Sequence, residues 1–337
     1  MKLRRTYGLV LFAVVFMIHT LAFLPGCSRS RERIPSTSIR LGIQSSTICA
    51  LPLIAAEKDF FRKQGVNVDI KHYPSGKLAL MGMFDGEVDM AAVADMPIMS
   101  NSFKRNDFAV FGQIAWTGQG AWIIARKDAG IQEPQDLKGK RVATQRNSAV
   151  HFFLSMFLLK HGIAEDEVDL VFMKAIELPT ALSGGRIDAF SMRNPFIDDA
   201  KKMIGDQALE MIDSKVYRQT FNLVAWKEYL KTNSPATERF LKALAEAEQL
   251  AIANEAEAVD AAVVQFGAGR EKEVRAGWDN FRFSLTLGQE LIVTLEDQAR
   301  WAIAQKPELG PGIPNYFRLV DTGPMVAVKP EAVSVIR

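Results

Sequence analysis

Asp85-Gly86-Glu87-Val88-Asp89, running straight into the apolar stretch Met90-Ala91-Ala92-Val93-Ala94, has a counterpart later in the chain. There Gly185-Arg186-Ile187-Asp188 leads into a second short apolar stretch ending at Met192. Both are Gly-x-(Val/Ile)-Asp turns between a helical pattern and a strand pattern. Working outward from the first, residues 39–43 read as a strand, 44–47 as a polar loop and 51–64 as a helix stopped by Gly65. A strand at 66–73 and a helix at 77–84 complete that unit. Outward from the second turn the same order recurs: a strand at 140–144, a polar loop at 145–148, and a helix at 149–160 stopped by Gly162. A strand at 168–173 and a helix at 178–183 follow. Glycine past a helix end takes the left-handed cap without steric cost. Self-similarity on this scale predicts two copies of one unit. Each copy reads β-α-β-α-β, the building block of an open parallel sheet covered by helices.

Two such units predict an α/β fold of two lobes with two interlobe crossings. Strand patterns at 109–116 and 120–126 flank the first crossing at Thr117-Gly118-Gln119, and the return is expected within 216–225. Long helical patterns at 235–266 and 287–305 then rejoin the first lobe. The expected organisation is a leader at 1–26, a polar tether at 27–37, lobe I at 38–117, lobe II at 118–222, and a return to lobe I at 223–337. A chain that crosses twice forms a hinge, and a hinge permits closure on a ligand.

The leader carries Lys2, Arg4 and Arg5, then a nearly uncharged run ending in Leu24-Pro25-Gly26-Cys27. A basic start, an apolar stretch and a small residue at the cut describe an export signal. The apolar run, interrupted by His19 and Thr20, falls short of the roughly 20 residues that span a bilayer comfortably. Its ending looks like a lipobox, so Cys27 is the expected lipidation site. The protein is expected to be exported, tethered to a membrane by lipid and facing the periplasm or cell exterior. Losing the leader removes three positive charges and no negative ones from a net +2, leaving −1. That balance gives no footprint for nucleic acid. With only two cysteines, and Cys27 lipidated, Cys49 has no intramolecular partner, so the 48% apolar composition must supply the stability.

Open parallel sheets bind ligands beyond the carboxyl ends of their strands. This places the loops Gln44-Ser45-Ser46-Thr47 and Asn147-Ser148 at the cleft, each ahead of a helix whose first N–H groups favour anions. It also places Asp95 and Arg193-Asn194 there, after the third strand of each unit. Trp116 and Trp226 are expected near the crossings as aromatic walls, whereas Trp278 and Trp301 are expected in the core.

Gln44 to Pro52, Tyr73-Pro74-Ser75-Gly76, Gly86-Glu87-Val88-Asp89, Ala94-Asp95-Met96-Pro97, Asp136-Leu137-Lys138-Gly139-Lys140-Arg141-Val142-Ala143 and Ser183 to Phe196 occur in a telling order. Together they resemble the extracytoplasmic solute-binding proteins of the nitrate, sulfonate and taurine import family, which includes thiamine-precursor binders. The resemblance implies a two-lobed periplasmic-binding-protein-like fold of type II. It implies capture of a small solute and delivery to the permease subunits of an ABC importer; the solute is expected to be anionic and the protein a monomer without cofactor or metal. Family members often carry an aromatic residue near Arg193, so this arginine points to a different ligand.

Arg193 is the expected anion clamp, because a guanidinium fork suits oxyanions. The plainer alternative is a surface arginine paired with Asp198 or Asp199. Ser148 either donates to the anion or merely caps its helix. Asp95 either receives a ligand ammonium group or fixes the start of the helix that follows. The rival to a binding protein is an enzyme of the same fold that cleaves sulfinates with a loop cysteine. Cys49 is the candidate nucleophile, although the register puts Ser46 nearer that position. His19, His72, His151 and His161 show no metal-ligand spacing, and the chain lacks the cysteine-rich motif of the pyrimidine-forming relatives.

Overall fold

The computed structural model describes residues 37–336; the lipobox at Leu24-Pro25-Gly26-Cys27 and the rest of the leader and tether up to residue 36 lie outside them. The first unit comprises β1 (Thr37–Gln44), α1 (Ala50–Glu57), α2 (Phe60–Lys63), β2 (Val66–Tyr73), α3 (Gly76–Phe84), β3 (Met90–Ala94), α4 (Asp95–Ser102) and β4 (Phe108–Thr117). The second comprises β5 (Trp122–Arg126), β6 (Arg141–Thr144), α5 (Ala149–Lys160), β7 (Asp169–Phe172), α6 (Leu178–Ser183), β8 (Ala189–Met192), α7 (Phe196–Ile204) and β9 (Ala208–Met211). The remainder holds β10 (Gln219–Trp226), α8 (Lys227–Thr232), α9 (Ser234–Ala253), α10 (Glu255–Phe266), α11 (Glu271–Gly277), β11 (Arg282–Thr286), α12 (Gln289–Gln305) and α13 (Gly323–Val328). The single helix expected at 51–64 is broken at Asp59, which takes a left-handed φ of 61°, a conformation that a short polar side chain tolerates.

The strands form two sheets, ordered β11-β4-β10-β3-β1-β2 and β7-β6-β8-β5-β9. Within each repeated unit the pairing is parallel, β2-β1-β3 in one and β7-β6-β8 in the other. The crossing strands run the other way: β10 lies antiparallel between β3 and β4, and β5 lies antiparallel between β8 and β9. Each sheet is therefore mixed. The chain re-enters the first sheet at Gln219, ahead of the boundary expected at 223. Every residue of the central strand β3 is buried, as expected for a strand covered by helices on both faces.

The repeated turn has a physical basis. Asp89 takes the backbone N–H of Arg40 at 2.8 Å, its Nε at 3.2 Å and its Nη2 at 2.6 Å. Asp188 takes the same three donors of Arg141 at 2.9, 3.0 and 2.6 Å. In both halves one aspartate closes a fork onto an arginine of the neighbouring strand, and Gly86 and Gly185 supply the positive φ that the turn needs. The two crossings run close together, since a Cβ on Gly118 would stand 2.5 Å from the carbonyl oxygen of Ser214.

Candidate functional site

The carboxyl ends of β1 and β3 and of β6 and β8 carry the four segments expected at the cleft, and the crossings lie beside the ends of β4 and β10. In the first half, Gln44 accepts the Gly76 N–H at 3.0 Å through Oε1, so part of its side chain caps α3. Ser45 meets His72 Nδ1 at 3.1 Å, and its carbonyl accepts from Arg270 at 3.0 Å. Ser46 is half-buried and makes no side-chain cap bond, leaving its hydroxyl available, while Thr47 is buried. Trp116 is half-buried at the crossing, with the Arg218 guanidinium 4.0 Å above its ring.

In the second half, Asn147 holds a left-handed φ of 54° and is exposed. Ser148 caps α5, accepting the His151 N–H at 3.4 Å and donating to the Gln145 carbonyl at 2.6 Å. Its hydroxyl proton is thus committed within the loop, and the amides of the first helical turn are what remains for an anion. Asn194 is exposed and uses Oδ1 to accept the Asp198 N–H at 3.3 Å.

Arg193 differs from the other arginines near the cleft. It makes no hydrogen bond, ion pair or ring contact among the described residues: neither expected alternative partner, Asp198 or Asp199, pairs with it, and Asp199 instead meets Lys202 at 3.7 Å. The side chain is exposed to water, yet the surrounding protein desolvates it enough to push its guanidinium below the ordinary value. Water on one side and protein on the others is the environment of a cleft wall. No carboxylate offsets that loss, so the group is electrostatically unsatisfied as it stands.

Two expectations change. Asp95 is fully buried and its oxygens are occupied by Tyr217 Oη, the Met96 N–H at 2.7 Å, the Thr220 N–H at 2.8 Å and Oγ1 at 3.3 Å, and Gln298 Nε2 at 3.1 Å. It presents no oxygen to a ligand ammonium group. Burial pushes its carboxyl above the usual range, with these donors, Tyr217 foremost, working in the opposite direction. Trp226 lies at the wrong end of β10: it pairs with Phe108, whereas the crossing end is marked by the Gln219–Thr117 pair. Seven residue steps at about 3.3 Å each put it about 23 Å from the crossing, packed on Phe84 at 5.3 Å beneath Arg105. Trp301 is nearly buried as expected, but it reaches across to α5, donating to Ser155 Oγ at 3.0 Å.

Cys49 is fully buried at the end of a 3-10 turn, and burial pushes its thiol up to about 12. A nucleophile needs the thiolate, so this residue does not fit that role. A Cys27→Ser protein should give no reaction with an aromatic disulfide reagent when folded and one thiol per chain in denaturant. Rapid labelling of the folded protein would reopen the enzyme reading. Among the described residues no group of three or more His, Cys, Asp or Glu side chains is placed to hold a metal ion, and no helix is long and apolar enough to cross a membrane.

Tyr217, Gln298, His151 and Arg270 were not singled out from the sequence. Tyr217 lies inside the expected crossing and His151 in the first turn of the helix after the second loop, which are usable signals; Gln298 and Arg270 come to the site through non-local packing.

Two helix-covered sheets joined by paired crossings, with loops facing each other at strand ends, define the class of two-lobed periplasmic-binding-protein-like folds. The chain belongs to the NMT1/THI5-like family, whose model matches residues 48–258. It is 28% identical over 242 residues to a putative aliphatic sulfonates-binding protein of Bacillus subtilis, covering 69% of this chain and 70% of that one. It is 23% identical over 208 residues to the taurine-binding periplasmic protein of Escherichia coli, covering 59% and 62%. The crystal structure of the periplasmic aliphatic sulphonate binding protein SsuA from Escherichia coli superposes with a TM-score of 0.69 at 17% identity, over 85% of this chain and 92% of that one.

Proposed function

We propose that this protein is the extracytoplasmic solute-binding component of an ABC importer and captures a small organic sulfonate or a related oxyanion between its halves. The observation that carries the reading is Arg193: an unpartnered, partly desolvated guanidinium beyond the end of β8. The naming of relatives as sulfonate- and taurine-binding proteins supports it. The buried, protonated Cys49 favours binding over sulfinate cleavage. Arg193, with Ser46, Asn147, the first-turn amides of α5 and Trp116, is proposed to line the site. Closure about residues 118–121 and 212–218 would exclude water and strengthen charge-assisted hydrogen bonds. The lipobox-like Leu24-Pro25-Gly26-Cys27 supports an exported protein anchored by lipid at Cys27, delivering its solute as a monomer to permease subunits.

A thermal-shift panel of taurine, short alkanesulfonates, nitrate, an aromatic acid and an aminopyrimidine tests this. A ligand at 100 times its dissociation constant adds about 2.7 kcal/mol, or about 5–10 °C at roughly 2–4 °C per kcal/mol. At least one sulfonate should give such a shift. Stabilisation by the aminopyrimidine alone would sink the anion reading.

A further inference from the structure

His151 sits fully buried in the first turn of α5, directly behind the second cleft loop. Its Nδ1 accepts the backbone N–H of Asn147 at 3.3 Å, and its Nε2 lies 3.2 Å from Glu165 Oε1. An acceptor at Nδ1 carries no proton, so the ring proton is on Nε2 and is donated to the carboxylate. Glu165 is itself fixed: Ser155 Oγ donates to Oε1 at 2.8 Å and Gln305 Nε2 to Oε2 at 3.0 Å. The Ser155 hydroxyl also lies 3.1 Å from the His151 carbonyl, the longer of its two acceptors, and it accepts from Trp301 Nε1 at 3.0 Å. Trp301 and Phe172 stand edge-on to the imidazole, each with centroids 5.0 Å away.

Gln305 and Trp301 belong to α12, whose Gln298 is bonded to Asp95 at the end of β3. Two hydrogen-bonded clusters therefore share α12: Gln298 binds Asp95 of the first half, while Trp301 and Gln305 bind Ser155 and Glu165, which holds the ring that ends on the Asn147 amide. The titratable groups on these clusters are Asp95, Tyr217 and Glu165, and the Arg146 guanidinium lies 3.6 Å over the Phe172 ring.

We propose that His151 is a positioning residue: held as the Nε2–H tautomer by Glu165, it fixes the Asn147 amide and so shapes the second cleft loop for its ligand. The inference rests on the reading of that loop as part of a ligand site. The left-handed turn at Asn147 has no side-chain hydrogen bond of its own, so the Nδ1 acceptor is the contact that holds its N–H. Docking of α12 then contributes to loop order without touching the ligand.

Long-range 1H–15N correlation of the ligand-free wild-type protein reads the tautomer directly. The expected result is a neutral ring with a protonated Nε2; a protonated Nδ1 or an imidazolium at neutral pH overturns the proposal, whether or not a ligand is known. The second arm titrates whichever sulfonate of the panel binds wild type. His151→Asn keeps an acceptor at the Nδ1 position and should stay within about threefold of wild-type affinity. His151→Gln keeps only the distal donor and His151→Leu keeps neither, and both should weaken binding by about tenfold, the order of one net hydrogen bond. Equal losses in all three variants would mean a packing role alone and overturn the proposal. If no sulfonate binds wild type, the proposed function fails while the tautomer result still decides the geometry.

Discussion

Arg193→Ala is expected to weaken sulfonate binding by about 10–150-fold, the equivalent of about 1.5–3 kcal/mol for hydrogen bonds from a charged donor. Isothermal titration with the sulfonate that gives the largest thermal shift measures it. The same substitution should leave the melting temperature of the ligand-free protein unchanged or slightly raised. The reason is that Arg193 gains nothing from the fold: it has no partner among the described residues, and the surrounding protein desolvates its charge. A group that the apo structure tolerates at a cost, and that a ligand would satisfy, is where stability and function part company. Arg193→Lys keeps the charge but not the planar fork, and should fall between the two. Unchanged affinity in the alanine variant would remove Arg193 from the site.

Asp95→Ala is expected to give the opposite pattern, a loss of about 3–4 kcal/mol in chemical denaturation. Its oxygens satisfy two backbone amides and the side chains of Tyr217, Thr220 and Gln298, all buried. Leaving such donors unsatisfied costs about 1–3 kcal/mol each, and partial rearrangement limits the sum. Asp95→Asn preserves the shape but turns an amide nitrogen toward donors, so a smaller loss of about 1–2 kcal/mol is expected. A variant with wild-type stability and lost ligand binding would restore Asp95 to the ligand site. The network joins α4, the second crossing and α12, so its rupture should also loosen the hinge and raise hydrogen exchange at residues 212–218.

The repeated unit was legible because its signals are local: glycine caps, alternating element patterns and an aspartate at a fixed place after a turn. The bounds of β2, α5 and α6 follow from those signals. The position of β10 between β3 and β4 was not legible, because apolar runs report that a strand is buried and not which neighbours bury it. The same limit misplaced Trp226. Proximity to a crossing in sequence was read as proximity in space, while an eight-residue strand carried the ring to the far edge of the sheet. Asp95 was placed correctly at the end of β3, yet its partners Tyr217 and Gln298 arrive from distant segments, and nothing in the residue itself announces them. Arg193 was the reverse case. Strand register alone placed it at the cleft, and the absence of a partner, which only the structure displays, separated it from an ordinary surface arginine.

The twin forks of Asp89 on Arg40 and Asp188 on Arg141 bear on how such a chain acquires new specificities. Each fork locks its sheet from the amino-terminal side of the strands, whereas the loops that meet a solute hang from the opposite ends. Mutational drift in these loops therefore leaves both forks in place, although Gln44 and Ser148, which also cap α3 and α5, are less free to change. Selection can sample ligands in one half at a time, against a scaffold whose integrity is guaranteed elsewhere.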